Sequence, residues 1–361
     1  MEHLPDCSGQ HVIIGISGGV DSSVAAHLLV EQGYRVTGLF MKNWEEDDSD
    51  TYCSAEEDLA DAQAICDRLS IPLKSINFAH EYWERVFSRF LDESRAGMTP
   101  NPDVLCNREI KFREFLDYAL ELGADLIATG HYARLLRDEK IHLLKGVDRN
   151  KDQTYFLHTL EQKALSRTLF PIGMMEKPAV RDLARKLKLE TSEKRDSTGI
   201  CFIGERKFSE FLARFIPPEP GELITLDGRV VGSHQGVMYF TRGQRHGLGI
   251  GGQGAPWYVA GKEVSTNQIT VVQGHQHPAL LNTSLVASEI NWISGEKPEL
   301  PLTCRAKTRY RQQEQPCTVT QQEGALKVVF ESPQWAITPG QSVVFYHQDE
   351  CLGGGVIKSY S

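Results

Sequence analysis

The stretch that most limits what this chain can fold into is VIIGISGGVDSSVAAHLLVEQG, Val12–Gly33. A short apolar run breaks at Ser17-Gly18-Gly19 and resumes with helical spacing until Gly33 stops it. The same order recurs through the first half. Apolar spacing predicts strands at His11–Ile16, Arg35–Met41, Leu73–Asn77 and Asp125–Thr129. Helices are predicted between them at Val20–Gln32, Ala55–Leu69, Glu81–Arg95 and Arg108–Leu122, the second capped by Ser54 with Glu57 closing a capping box. Alternation at this spacing means an α/β fold, a doubly wound parallel sheet with helices on both faces. Ligands of such sheets sit at the carboxyl ends of the strands. The Ser-Gly-Gly loop, Met41 and the ATGHYA run, Ala128–Ala133, all fall there.

The second half reads differently. A helix at Lys177–Leu187 leads into the irregular, basic Glu193–Lys207, then a helix at Lys207–Phe215 and the proline-rich IPPEPGE. Beyond Glu222 the chain turns to short strands and glycine turns, and strands continue from about Leu281. The expected organisation is a catalytic domain over 1–208, a small central domain over 209–278 and a C-terminal β-barrel over 279–361.

Glycines at 18 and 19 let main-chain N–H groups approach an anion, and the following helix points its positive end at the same place. Ser17, Ser22 and Ser23 add hydroxyls. Asp21 would repel a phosphate unless a divalent cation stood between them, which implies Mg²⁺. The loop carries no lysine and matches neither the Walker nor the dinucleotide pattern.

Composition narrows the class. No apolar run approaches the roughly 18 residues of a membrane span, and the N-terminus has no secretion pattern, so a cytoplasmic location is expected, or an organelle reached by a presequence already removed. None of the 8 cysteines forms a C-x-x-C pair, so no protein metal site is expected. The net charge of −9 opposes nucleic-acid binding as a whole. Residues 221–361 balance their charges, however, and Arg181–Lys207 is locally basic.

GISGGVDS, Gly15–Ser22, resembles the signature of PP-loop ATP pyrophosphatases. Four further stretches narrow the resemblance: MTPNPDVLCNREIKF (Met98–Phe112), NKDQTYFL (Asn150–Leu157), DSTGICFIG (Asp196–Gly204) and CRAKTRYRQ (Cys304–Gln312). In the first, Cys106 is read as standing just before a helix, where the terminus favours thiolate. In the last, Arg305, Lys307, Arg309 and Arg311 are read as one face of a strand, with Tyr310 on the other. Singly, each has a plainer reading, as core cysteine, turn or solvated strand. In this order they resemble the tRNA-specific 2-thiouridylase family, over nearly the whole chain; TRGQRHGLGIGG (Thr241–Gly252) is similar too.

The resemblance implies sites and chemistry. Gly15, Ile16, Ser17, Gly18, Gly19, Val20, Asp21 and Ser22 would hold ATP, with Met41 and Gly130 as further nucleotide contacts. ATP would adenylate the C2 oxygen of the wobble uridine, turning a poor leaving group into AMP. Cys201 would carry a persulfide. Cys106 would attack the sulfur bridge and leave a transient Cys106–Cys201 disulfide, or hydrogen sulfide would be released within the site. The Cys201 segment would then have to move or order on tRNA binding. Asn101, Pro102 and Asp103 would line the pocket for the extruded base. His131, Lys151, Asp152, Gln153, Arg309, Tyr310 and Gln341 would face RNA. Expected partners are lysine, glutamate and glutamine tRNAs and a sulfur-donor protein, a cysteine desulfurase or relay.

Three rivals are weaker. An amidating PP-loop synthetase needs an ammonia source, and no glutaminase segment is evident. A non-catalytic tRNA-binding protein would not keep Gly18, Gly19, Asp21 and Ser22 together. A rhodanese-type carrier leaves the ATP loop unexplained.

Overall fold

The computed structural model describes residues 9–45, 54–194 and 208–361, and for 54 and 55 the backbone alone. The first sheet is wholly parallel and contains β1 (His11–Gly15), β2 (Arg35–Lys42), β3 (Leu73–Asn77), β4 (Leu126–Ala128) and, later in the chain, the two-residue Thr168–Leu169. Its order is β3-β2-β1-β4, then Thr168–Leu169, so the winding reverses at β1. A reversal point of this kind opens a crevice at the strands' carboxyl ends. Burial explains the sequence pattern: Val12 and Ile14 enter one apolar layer and Ile13 the other. A strand covered on both faces reads as a continuous apolar run.

The helices follow the expected spacing with shifted ends. Val20–Glu31 packs against Lys177–Lys186. Helical residues run unbroken from Ala79 to Arg95, and again from Pro102 to Glu121. Each run contains a π-helical segment, Trp83–Phe87 and Asn107–Glu114. The second run therefore starts six residues before the expected Arg108.

A hairpin that the apolar spacing did not predict, β5 (Ala133–Arg137) with β6 (Ile141–Lys145), leaves the first domain and joins the barrel. The central domain is a four-stranded sheet. Its strands are β7 (Gly221–Ile224), β8 (Val230–His234), β9 (Trp257–Glu263) and β10 (Gln268–Gln273), in the order β9-β10-β7-β8.

The barrel contains β11 (Leu281–Trp292), β12 (Leu302–Lys307), β13 (Gln315–Gln322), β14 (Ala325–Trp335), β15 (Ser342–His347) and β16 (Glu350–Tyr360). Its antiparallel ladder closes where β11 pairs with β16. β6 then adds to β16, Leu143 opposite Cys351. One apolar cluster runs from Ile13 and Phe115 of the first domain through Val259 of the central domain to Val344 of the barrel. The three parts thus share buried surface, and the barrel stands against the catalytic layer. Among the described residues, no helix is long and apolar enough to cross a membrane.

Candidate active site

The loop after β1 folds on its own hydroxyls. Ser22 Oγ donates to the Gly19 carbonyl (3.1 Å), accepts from the Ser17 N–H (3.3 Å) and meets Ser17 Oγ (3.3 Å). Ser23 Oγ also donates to the Gly19 carbonyl (2.7 Å). Gly19 is the N-cap of Val20–Glu31. Gly18 has φ +68°, and a Cβ there would stand 2.9 Å from the Asp58 carbonyl oxygen. Only glycine meets both conditions. Gly130, at the end of β4, packs on the same loop: a Cβ there would lie 2.8 Å from Ser22 N. Met41 Cε comes within 3.1 Å of the Cβ position of Gly15. The structure thus gathers Gly15–Ser22, Met41 and Gly130 at the crevice.

Asp21 is where local reading fell short. Its carboxylate accepts from Lys177 Nζ at 2.8 Å on each oxygen and from Tyr132 Oη at 2.7 Å. Lys177 is buried at the first position of its helix. The lysine missing from the loop is therefore supplied from far along the chain. The sequence held one signal: an ammonium at a helix N-terminus opposes the helix dipole, so it needs a partner there.

The thiol helix lies against this loop. Asn101 caps it, its Oδ1 accepting from Asp103 N (3.2 Å) and Val104 N (3.4 Å), with Pro102 at the first helical position. Cys106 is buried. It occupies the second turn, where the α-helical spacing gives way to π, not the position before a helix. The dipole acts mainly in the first turn, so the expected terminus effect on this thiol does not apply. Further along the helix, Phe115 Cε1 lies 3.7 Å from the Cβ position of Gly15, and Phe112 faces His131 with ring centroids 5.7 Å apart. Burial pushes the Asp103 carboxyl above its ordinary range, against the pull of Lys111. Burial holds the His131 imidazole well below its usual value, and Lys111 adds to that. Thr129 Oγ1 lies 2.8 Å from His131 Nδ1. The helix that carries the thiol thus bears a half-buried carboxyl and an ammonium of its own, Asp103 and Lys111, and meets the His131 imidazole.

The comparisons with known proteins cover the same ground. Residues 10–205 match the profile of the tRNA methyl transferase HUP domain, 209–273 that of its PRC-barrel domain and 282–357 that of the aminomethyltransferase beta-barrel domain. The chain is similar to the tRNA-specific 2-thiouridylase MnmA of Proteus mirabilis, 58% identical over 99% of both chains. It is 57% identical to that of Serratia proteamaculans, over 98% of this chain and 99% of that one. The chain belongs to the tRNA-specific 2-thiouridylase family.

The remaining residues that the 2-thiouridylase resemblance singled out form two groups. Asn101, Pro102 and Gln341 line one cavity of about 290 Å³ with Met98, Phe208 and Thr241; Asp103 is not among its lining residues. The second group lies where residues 151–156 meet 307–310. Tyr310 packs on Phe156 at 4.5 Å between centroids, and Lys307 Nζ lies 4.0 Å from Asp152. Asp152 is buried and accepts from Gly146 N, Thr154 N and Thr154 Oγ1. Gln153 accepts from Tyr132 N (2.9 Å) and donates its own N–H to the Tyr132 carbonyl (3.0 Å), holding the tyrosine that meets Asp21. Lys151 is half-buried beside them.

The expected basic strand face is corrected. β12 ends at Lys307, because the Thr308 N–H and Oγ1 both donate to Gln312 Oε1 instead of continuing the ladder. Arg309 turns inward. Its Nη2 donates to the carbonyls of Arg242 (2.8 Å) and Ala336 (2.9 Å) and to Thr338 Oγ1 (3.1 Å), over the Trp335 ring. Cys201 lies outside the described residues.

Proposed function

We infer that the chain is an ATP-dependent tRNA 2-thiouridylase that replaces the C2 oxygen of the wobble uridine with sulfur. The observation that carries this reading is the packing of the Cys106 helix on the nucleotide loop, through Phe115 on Gly15 and Phe112 on His131. ATP is a substrate here. Backbone packs so closely at Gly18 and Gly130 that the loop has no room for side chains there, and Val20–Glu31 starts directly after Gly19. Lys177 would transfer its charge from Asp21 to the pyrophosphate. Asp21, so released, suits a divalent cation, and Mg²⁺ would supply further neutralisation of the phosphates.

The C2 oxygen attacks the α-phosphorus, pyrophosphate leaves, and the base carries AMP at C2. The terminal sulfur of a Cys201 persulfide attacks C2 and AMP departs with the oxygen. Cys106 thiolate attacks Cys201 Sγ; the sulfur–sulfur bond to the base breaks, 2-thiouridine leaves and a Cys106–Cys201 disulfide remains. Asp103, one helical turn before Cys106 on the same helix and with its carboxyl pushed up by burial, suits the role of proton acceptor for that thiol. The cavity beside Asn101 and Pro102 has the size of a nucleobase site, and its lining among the described residues is uncharged. Arg309 and Tyr310 contribute to the RNA face through the surface they hold together.

We assign the chain to the cytoplasm. Lysine, glutamate and glutamine tRNAs are its substrates, and a cysteine desulfurase, directly or by relay, is its sulfur source. The domain divisions fall near 208 and 278. The test is tRNA-dependent pyrophosphate release by the Cys201→Ser variant. The expected result is release at close to the normal first-turnover rate with no thiolated tRNA. Thiolation by Cys201→Ser would overturn the sulfur route.

A further inference from the structure

The segment leading into the thiol helix has a partner in another domain. Thr99 lies two residues ahead of the Asn101 cap, between the helical runs that end at Arg95 and begin at Pro102. A loop residue has a main-chain donor and an acceptor to satisfy. For Thr99 both partners come from the barrel. Its N–H donates to the Pro339 carbonyl (2.9 Å), and its carbonyl accepts from Gln341 Nε2 (2.8 Å). Gly340, between the two, has φ +90°, and a Cβ there would stand 2.8 Å from Thr99 N and 2.9 Å from Thr99 C. Left-handed backbone and close approach both demand glycine. The turn is itself rooted on β16: Gly340 N donates to the Ile357 carbonyl and Ile357 N to the Gln341 carbonyl, each at 2.9 Å.

We propose that Gln341 is a positioning residue: with Gly340 it forms a barrel-borne bracket on Thr99 that fixes the entry of the Cys106 helix. The resemblance makes Gln341 an RNA contact; the bracket gives its amide a second task within the protein. Thr99, Asn101, Pro102 and Gln341 line the same cavity. A base entering there meets the bracket and the helix cap together. The barrel thereby sets where the thiol stands when RNA occupies the cavity. The inference rests on Cys106 being the second thiol of the proposed reaction.

The experiment compares Gln341→Ala, Gln341→Glu and Gln341→Lys in the full chain. Glu keeps length but cannot donate to a carbonyl, whereas Lys keeps a donor. Hydrogen exchange is followed by mass spectrometry in the RNA-free protein, with Val20–Glu31 as internal reference. Loss of one such bond is expected to speed exchange over 98–106 roughly fivefold to tenfold in the Ala and Glu variants, and to lower kcat at saturating tRNA by a similar factor, with KM for ATP unchanged. Lys restores most of both. Unchanged exchange in all three, with the whole loss in KM for tRNA, would overturn the bracket and leave a simple RNA contact. Exchange needs no turnover, so a failure of the proposed reaction would show separately, as wild-type protein that does not thiolate.

Discussion

The nucleotide loop and the thiol helix are built in opposite ways. The loop is local: within Gly15–Ser22 the hydroxyls of Ser17 and Ser22 and the backbone of Gly18 and Gly19 set its shape. The thiol helix is assembled from afar. Its N-terminal approach is held by Gln341, its flank touches His131, and its surroundings draw on three domains. A local device can be read from a short motif. A device held by residues 242 positions apart cannot, and it depends on how domains dock. A distant partner of the loop, Lys177 on Asp21, is one its motif does not show.

Substitutions should separate the two regions. The largest effect is expected for Cys106→Ser: thiolation falls by about 10³-fold or more, while tRNA-dependent pyrophosphate release stays within about threefold. A parallel loss of both would mean that the ends do not act as separate steps. Next is Lys177→Met, with pyrophosphate release down by about 10²-fold and the thermal midpoint little changed at neutral pH. If release persists, the ammonium serves only to neutralise Asp21.

The docking of the barrel is open to a pH test. Burial pushes His158 down to about 4, and its neighbour across the interface is β16, where a Cβ at Gly354 would meet the ring. The unfolded chain takes up this proton near pH 6.5 and the folded chain does not. Stability from this group is therefore complete above about pH 6.5 and lost as the pH falls towards 4. In denaturant unfolding His158 should contribute a decline of order 2–3 kcal/mol over that window, and the slope should be shallower in His158→Gln. A His158→Gln slope equal to wild type would assign the decline elsewhere.

The smallest effect is expected for Arg309→Ala. Loss of its contacts to Arg242, Ala336 and Thr338 should lower the thermal midpoint by about 2–5 °C with ATP affinity intact. tRNA affinity should weaken as the junction loosens. An unchanged midpoint would return Arg309 to a purely external role.

The same contrast explains what was legible. The parallel sheet could be read because Val12, Ile13 and Ile14 are covered on both faces and glycines punctuate the turns. The start of the thiol helix was read too late. Asn101-Pro102-Asp103 looks like a turn, but it is a side-chain cap followed by proline at the one helical position that lacks nothing by having no N–H. The basic strand was read too long, because a side chain, Gln312, satisfies Thr308 where a ladder bond was assumed. The docking of β6 on β16 and Gln341's bond to Thr99 had no local signal, since each partner lies far along the chain. Residues whose partners are neighbours in sequence were easier to read than those, such as Lys177 and Gln341, whose partners are neighbours only in space.

The most direct measurement is the mass of the wobble nucleoside after purified protein is incubated with tRNA and a persulfide donor, with and without ATP. With ATP, the uridine should gain the difference between sulfur and oxygen, about 16 Da, in step with pyrophosphate released. Without ATP, its mass should stay that of uridine. Equal thiolation in the two samples would contradict a site in which the nucleotide loop activates the base for the thiol helix.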